Sequence, residues 1–236
     1  MSFATDADEV DVDDEVFAVE DFTLQCPFNM ICAGPTNSGK STFVARLCLL
    51  RDELYSEPGG KVFWFYKASQ PLYDQIKASP QGAGFNFVKT LPNEQWIEEH
   101  RGQMGDNPTM IIDDMGNDIG EEIRNMFQVL SHHEGINFIL ICHNLFMKNK
   151  VYRDVSLNSA YIVLMKNPRD RTGITHFAQQ FAPGKSKAMT EIYAAATRQP
   201  HSYLFLDLHQ RTKEAHRIRS NILFEQNEPM SVYQLQ

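Results

Sequence analysis

The chain has 236 residues, 42% of them hydrophobic and 22% charged, and a formal net charge of -8. That composition suits one globular α/β domain, no apolar run approaches the roughly 18 residues of a membrane helix, and the acidic N-terminus shows no secretory signal. The charge is uneven: residues 1–21 carry nine acids and no Lys or Arg, which leaves residues 22–236 at +1. An acidic, disordered tail over 1–21 is therefore expected, either solubilising or competing with nucleic acid for a basic channel.

In chain order, Phe28–Ala33 reads as a buried strand and Gly39–Arg51 as the helix that follows. Lys61–Tyr66 is a second strand, Gln70–Ala78 a short helix and Phe85–Val88 a short strand. Pro92–His100 has helical character, with Pro92 placed in the first turn. Thr109–Asp113 is a strand, Ile119–His133 a helix and Ile136–Cys142 another strand. Tyr161–Lys166 and Tyr203–Leu208 are strands, with helices near Thr172–Phe181 and Ser186–Thr197 between them. Strands alternating with helices predict a mostly parallel sheet covered on both faces. A domain over 22–222 is expected, with a patternless tail over 223–236. The cysteines Cys26, Cys32, Cys48 and Cys142 stand singly among apolar residues, as reduced core thiols do.

Gly34-Pro35-Thr36-Asn37-Ser38-Gly39-Lys40-Ser41 matches the phosphate-loop pattern, directly after a predicted strand and opening a predicted helix. Gly34 and Gly39 let the backbone bend around phosphates. The amides of Asn37 to Thr42 and the helix N-terminus supply positive potential. Lys40 is placed to reach the β- and γ-phosphates, and the Ser41 hydroxyl to ligand Mg²⁺. Met110-Ile111-Ile112-Asp113-Asp114 is the expected second half: a buried strand delivering two carboxylates at its carboxyl end. Asp113 would hold the Mg²⁺ hydration shell, and Asp114 would orient the attacking water.

Two strand-like runs between Lys40 and Asp113 leave room for an additional strand between the motif strands. With the double Asp, this points to a P-loop NTPase of the additional-strand, catalytic-carboxylate type. A guanine reader of the Asn-Lys-x-Asp kind is missing, because Asn149-Lys150-Val151 is followed by Tyr152. ATP, hydrolysed by water with Mg²⁺, is the expected substrate. Ile136–Cys142 should lie next in the sheet and bring His143 and Asn144 to the γ-phosphate, unless these merely cap the strand end. Adjacent histidines on one helix chelate an ion poorly, so His132 and His133 are assigned a structural or ATP-sensing role rather than zinc. Phe63-Trp64-Phe65-Tyr66 is assigned to sheet core.

The residues resemble the genome-packaging ATPases of Maverick/Polinton elements and adintoviruses, relatives of the poxvirus packaging ATPase in the FtsK–HerA superfamily. The likeness runs from about Phe28 to Ile222. It rests on Ile31–Thr42, Ile111–Met115, Ser131-His132-His133, His143–Phe146, Ser156–Ser159 and Lys166-Asn167-Pro168-Arg169-Asp170. It implies a pentameric or hexameric ring that drives double-stranded DNA into a preformed capsid through capsid-vertex partners. It further implies Asp114 in the place of a catalytic Glu, and a host nucleus or cytoplasmic virus factory as location, with carriage in the virion a further option. The family often has Gln at His143 and a basic residue at Glu134, so a trans-acting arginine is sought elsewhere. Arg153 ranks first, then Arg169 and Arg171.

Lys148, Lys150 and Arg153, with Lys166, Arg169, Arg171, Lys185 and Lys187, are candidates for gripping DNA phosphates, or form a solvated basic face. Arg211, Lys213, Arg217 and Arg219 share that ambiguity. The alternatives are a non-packaging P-loop ATPase (a helicase or transposition accessory ATPase) and a capsid-vertex scaffold that binds nucleotide only to assemble.

Overall fold

The computed structural model describes residues 22–113, 120–145, 150–223 and 229–235, apart from the side chains of Lys150, Tyr152 and Arg171. The acidic segment 1–21, Asp114 and Lys148 lie outside the described residues.

Nine described strands make one sheet. They are β1 (Asn29–Ala33), β2 (Val62–Tyr66), β3 (Phe85–Val88), β4 (Thr109–Asp113), β5 (Asn137–Cys142), β6 (Tyr161–Met165), β7 (Tyr203–Asp207), β8 (Ile218–Ser220) and β9 (Ser231–Tyr233). Their order is β3-β2-β4-β5-β1-β6-β7-β8-β9. The six strands from β3 to β6 are parallel, and β7, β8 and β9 continue antiparallel. Every residue of β1, β4, β5 and β6 is buried. Strands covered on both faces must be apolar throughout, which is why these runs do not alternate with polar residues.

Period-two alternation sorts the side chains between two cores. Met30 and Cys32 of β1, Trp64 of β2 and Ile111 of β4 face one core, beneath α1 (Lys40–Leu49), α2 (Arg51–Leu54) and α3 (Pro71–Ala78). Ile31, Phe63, Met110 and Phe138 face the other. That side is covered by α4 (Glu94–Met104), α5 (Glu121–Asn125), α6 (Ser131–Glu134), α7 (Lys150–Leu157), α8 (Arg171–Phe181) and α9 (Ser186–Ala196). A fully buried aliphatic or aromatic side chain contributes about 1.5–3 kcal/mol, so the two apolar layers hold the sheet edge rigid where the loops leave it.

Four expectations change. Pro92 does not sit in the first turn of α4; Asn93 caps the helix, its Oδ1 accepting from Trp96 N at 2.8 Å, because a carboxamide can satisfy a leading N–H and proline cannot. The strand between the motif strands β1 and β4 is β5, which follows Asp113 in the chain, whereas β2 and β3 lie beyond β4. The segment expected to be a patternless tail contains β9, which pairs with β8. Three-residue strands carry too little periodicity to be seen beforehand. Finally, the helix after β4 is interrupted by a π turn, Met126–Leu130, between α5 and α6. The Asn29 amide at the start of β1 donates to the Phe127 carbonyl in that turn at 2.5 Å.

Candidate functional site

The loop after β1 is tied to the neighbouring strand end, since Gly34 N donates to the Cys142 carbonyl at 3.1 Å. Asn37 and Gly39 take left-handed φ values of 63° and 98°, which turn the chain tightly into α1. Gly39 is the N-cap of α1 and offers no side chain, and the first turn holds no acid. The leading amides thus lack a side-chain cap, and the helix dipole leaves them an attractive site for an anion.

Two further features fit a phosphate group. Lys40 is only 7% exposed, and its Nζ donates to the loop's own carbonyls, Gly34 O at 2.8 Å and Pro35 O at 2.9 Å. Those carbonyls occupy the ammonium as phosphate oxygens would. Ser38 Oγ is buried without a hydrogen-bond partner inside the same loop. The fit is close: a Cβ on Gly34 would lie 2.6 Å from Met165 Cβ.

Asp113 ends β4 at the same sheet edge and is 3% exposed. Its Oδ2 accepts from Ser41 Oγ at 3.1 Å, Trp64 Nε1 at 3.1 Å, Gln70 Nε2 at 3.3 Å and Tyr73 Oη at 3.0 Å. Register explains the tryptophan. Tyr66 stands opposite Asp113 and Trp64 opposite Ile111, so Trp64 is the diagonal neighbour of Asp113 on the same face. Tyr73 comes from α3, and its hydroxyl pKa is raised by burial and then by the Asp113 charge. It therefore stays protonated and keeps donating. The Ser41 hydroxyl and the Asp113 carboxylate are hard oxygen donors of the kind magnesium takes. Trp64 is sheet core, as its aromatic run suggests, but its indole N–H also serves this carboxylate. Gln70 and Tyr73 carried no motif. Their one signal was a helix starting straight after β2, and that points to Asp113 only once β2 is known to lie beside β4.

The end of β5 brings His143 and Asn144 to the loop. His143 is exposed and Asn144 half-buried, and both line a cavity of about 720 Å³ with Pro35–Ser38, Lys166–Asp170 and His201. Asn144 Nδ2 donates to Asp170 Oδ2 at 3.4 Å. Asp170 also caps α8, accepting from Gly173 N at 2.7 Å, and Asn167 Oδ1 accepts from Arg169 N at 3.1 Å. Two motifs far apart in sequence thus form one shelf beside the phosphate loop. Arg169 is exposed on it. Arg153 is exposed on α7 and lines neither cavity at the loop; the Arg171 side chain lies outside the described residues.

Other candidates are placed elsewhere. His132 and His133 are exposed on α6, which leads into the amino end of β5. That is the sheet edge opposite this chain's own phosphate loop. Arg219 is not a surface cation: it is 1% exposed, paired with buried Asp207, and lies between the rings of Phe22 and Phe205 at 5.1 and 5.0 Å. Burial lowers its pKa, and Asp207 opposes that shift. Arg217 is held by Glu214 and by the carbonyls of Asp207 and His209. Lys185 donates to the Leu235 carbonyl at 3.0 Å, and Lys187 pairs with Glu191 at 3.8 Å. Cys32, Cys48 and Cys142 are buried, Cys26 is half-buried, and none of the four is in a disulfide. No described helix is long and apolar enough to cross a membrane.

No protein-family model matches the sequence, and no curated protein sequence matches it. Among solved structures, the chain is similar to the genome packaging NTPase B204 of Sulfolobus turreted icosahedral virus 2. For its sulfate complex the identity is 10% and the TM-score 0.51, over 89% of this chain and 97% of that one. For its ATPγS complex the figures are 12% and 0.49, over 89% and 98%. The KaiC-like protein PH0186 of Pyrococcus horikoshii gives 14% and 0.46, over 88% and 90%. At such identities the likeness is one of fold: a mostly parallel sheet flanked by helices, the P-loop NTPase arrangement with an additional strand between its motif strands.

Proposed function

We propose that the chain is a magnesium-dependent ATPase that drives double-stranded viral or transposon DNA into a preformed capsid as a pentameric or hexameric ring. The observation that carries this reading is the 3.1 Å contact between Ser41 Oγ and Asp113 Oδ2, beside the uncapped start of α1. Gly34 to Thr42 would hold the triphosphate, with Lys40 leaving the Gly34 and Pro35 carbonyls for the β- and γ-phosphates. Ser41 and Asp113 would hold magnesium, which when bound neutralises charge building on the phosphates. Asp114 would orient and polarise the attacking water, and Asn144, fixed by Asp170, would hold it from the β5 side. His143 would stand at the γ-phosphate. Arg153, with Arg169 and Arg171 as alternatives, would serve a neighbouring subunit's site. Sequence-independent grip on DNA would fall to the exposed cations, since a translocating protein must hold phosphates without reading bases.

The test is multiple-turnover phosphate release with Mg-ATP, with and without double- or single-stranded DNA. Double-stranded DNA is expected to stimulate the wild type, and Asp114→Asn to slow turnover about 10²–10⁴-fold while keeping ATP bound. Stimulation by single-stranded DNA alone would favour a helicase-like ATPase. An inactive wild type that still binds ATP would favour the capsid-vertex scaffold.

A further inference from the structure

Two large cavities open on the phosphate loop, and they meet at Asn37 and His201, which line both. The one of about 720 Å³ takes Pro35 to Ser38 with His143 and Asn144. The other, of about 660 Å³, takes Gly39 to Phe43 and Arg46, with the turn Gln199–Tyr203 and with Asn221 and Leu223. In a phosphate loop the lysine reaches the β- and γ-phosphates and the backbone amides at the helix start cradle the α- and β-phosphates, so the α-phosphate leaves over the first turn of the helix. The nucleoside must then continue into the second-named cavity and away from His143 and Asn144.

The lining has the matching chemistry. The Gln199 carboxamide offers a donor and an acceptor to a base edge or a ribose hydroxyl, and Asn221, whose Nδ2 donates to the Pro229 carbonyl at 3.4 Å, keeps its Oδ1 and a second N–H for the same purpose. Pro200, Tyr203 and Leu223 add apolar wall. Beyond Lys40, Arg46 is the one charged side chain among its described lining residues, whereas the neighbouring cavity is lined by Lys166, Arg169 and Asp170. A volume of this order suits a small-molecule site.

Topology supplies the rest. β7 runs antiparallel to β6, so the turn leading into it arrives at the carboxyl edge of the parallel strands. β8 reverses again, so Asn221 leaves it at that same edge. His201 and Asn221 both hold left-handed φ, at 63° and 56°. Such backbone is costly outside glycine and gathers at ligand sites. His201 lies directly over the loop: a Cβ on Gly39 would stand 3.5 Å from His201 Cβ.

We infer that the two turns Gln199–Tyr203 and Asn221–Leu223 form the nucleoside subsite of this chain. The inference rests on the phosphate-loop reading above. The experiment compares ATP with inorganic tripolyphosphate, which lacks the nucleoside, by calorimetric titration of the full chain. In Gln199→Ala/Asn221→Gly, which keeps a left-handed-tolerant residue at 221, the ATP Kd should rise about tenfold. The tripolyphosphate Kd should stay within about twofold, which also shows that the variant is folded. Lys77→Ala, exposed on α3 and lining neither cavity, should leave the ratio of the two affinities unchanged. An unchanged ratio in the double variant, or a changed ratio in Lys77→Ala, overturns the inference. Lys40→Ala should weaken both ligands together; a wild type that binds neither would sink the phosphate-loop reading instead.

Discussion

Tyr73→Phe removes one hydroxyl and keeps the ring, which packs 5.5 Å from Trp64 and 4.9 Å from Phe87. What is lost is the 3.0 Å bond to Asp113 Oδ2. A hydrogen bond to a charged group contributes about 1.5–3 kcal/mol. Three other donors remain on the same oxygen, so the lower end, about 1.5 kcal/mol, applies. For a domain of this size that corresponds to about 3–6 °C in Tm. The clean measurement is a double-mutant cycle with Asp113→Ala, which leaves no acceptor for the Tyr73 hydroxyl, followed by urea unfolding without nucleotide. A coupling energy of about 1.5 kcal/mol is expected between the two sites. Coupling below about 0.5 kcal/mol, the ordinary scatter for independent positions, would show that Tyr73 does not hold the carboxylate.

Gly34→Ala should cost about 1–3 kcal/mol and weaken ATP binding, because the new methyl meets Met165 Cβ and Ser38 Oγ at 2.6 and 2.8 Å; Gly102→Ala in α4, where a Cβ meets nothing within 4 Å, should instead stabilise the chain. A Gly34→Ala protein with wild-type affinity and stability refutes the close-packed loop. Arg219→Ala should destabilise by about 3–5 kcal/mol by stranding buried Asp207, and Arg219→Met/Asp207→Leu should recover most of that; a loss under about 1 kcal/mol for the single variant would contradict the buried pairing. Burial pushes the Cys48 thiol from 9.0 up to about 12. A group protonated in the native state and ionised in the unfolded one contributes in full below about pH 9 and less as pH rises toward 12, by about 1.4 kcal/mol per pH unit. The urea midpoint should therefore fall above pH 9, less steeply in Cys48→Ala, and an equal slope in the two proteins would remove the thiol from the account.

The parts of this fold that could be read beforehand are those whose physics is local. β4 was legible to the residue, since Thr109–Asp113 is a continuous apolar run ended by carboxylates. The phosphate loop was legible because its glycines, lysine and hydroxyl are contiguous. What stayed hidden depends on which strands become neighbours. Trp64 looked like a core aromatic, and Tyr73 carried no motif, until β2 came to lie beside β4. Arg219 looked like one more cation in a basic stretch, but in β8 the alternation turns it inward against Phe205. β5 lies beside β4, as its place in the chain suggested, but that β2 and β3 fall beyond β4 could not be deduced, because crossover connections skip neighbours. α7 was missed for a different reason: KVYRDVSL is too short and too polar to declare a helix.

Asn29 and Ala33 stand at opposite ends of one short strand, and the phosphate loop hangs from the second while the first clasps the Phe127 carbonyl. The helical segment that follows the Asp113 strand is thereby held, at its π turn, to the amino end of β1, the end away from that loop. Four residue steps of β1, about 13 Å of extended chain, thus set the spacing between the π turn and the start of the phosphate loop.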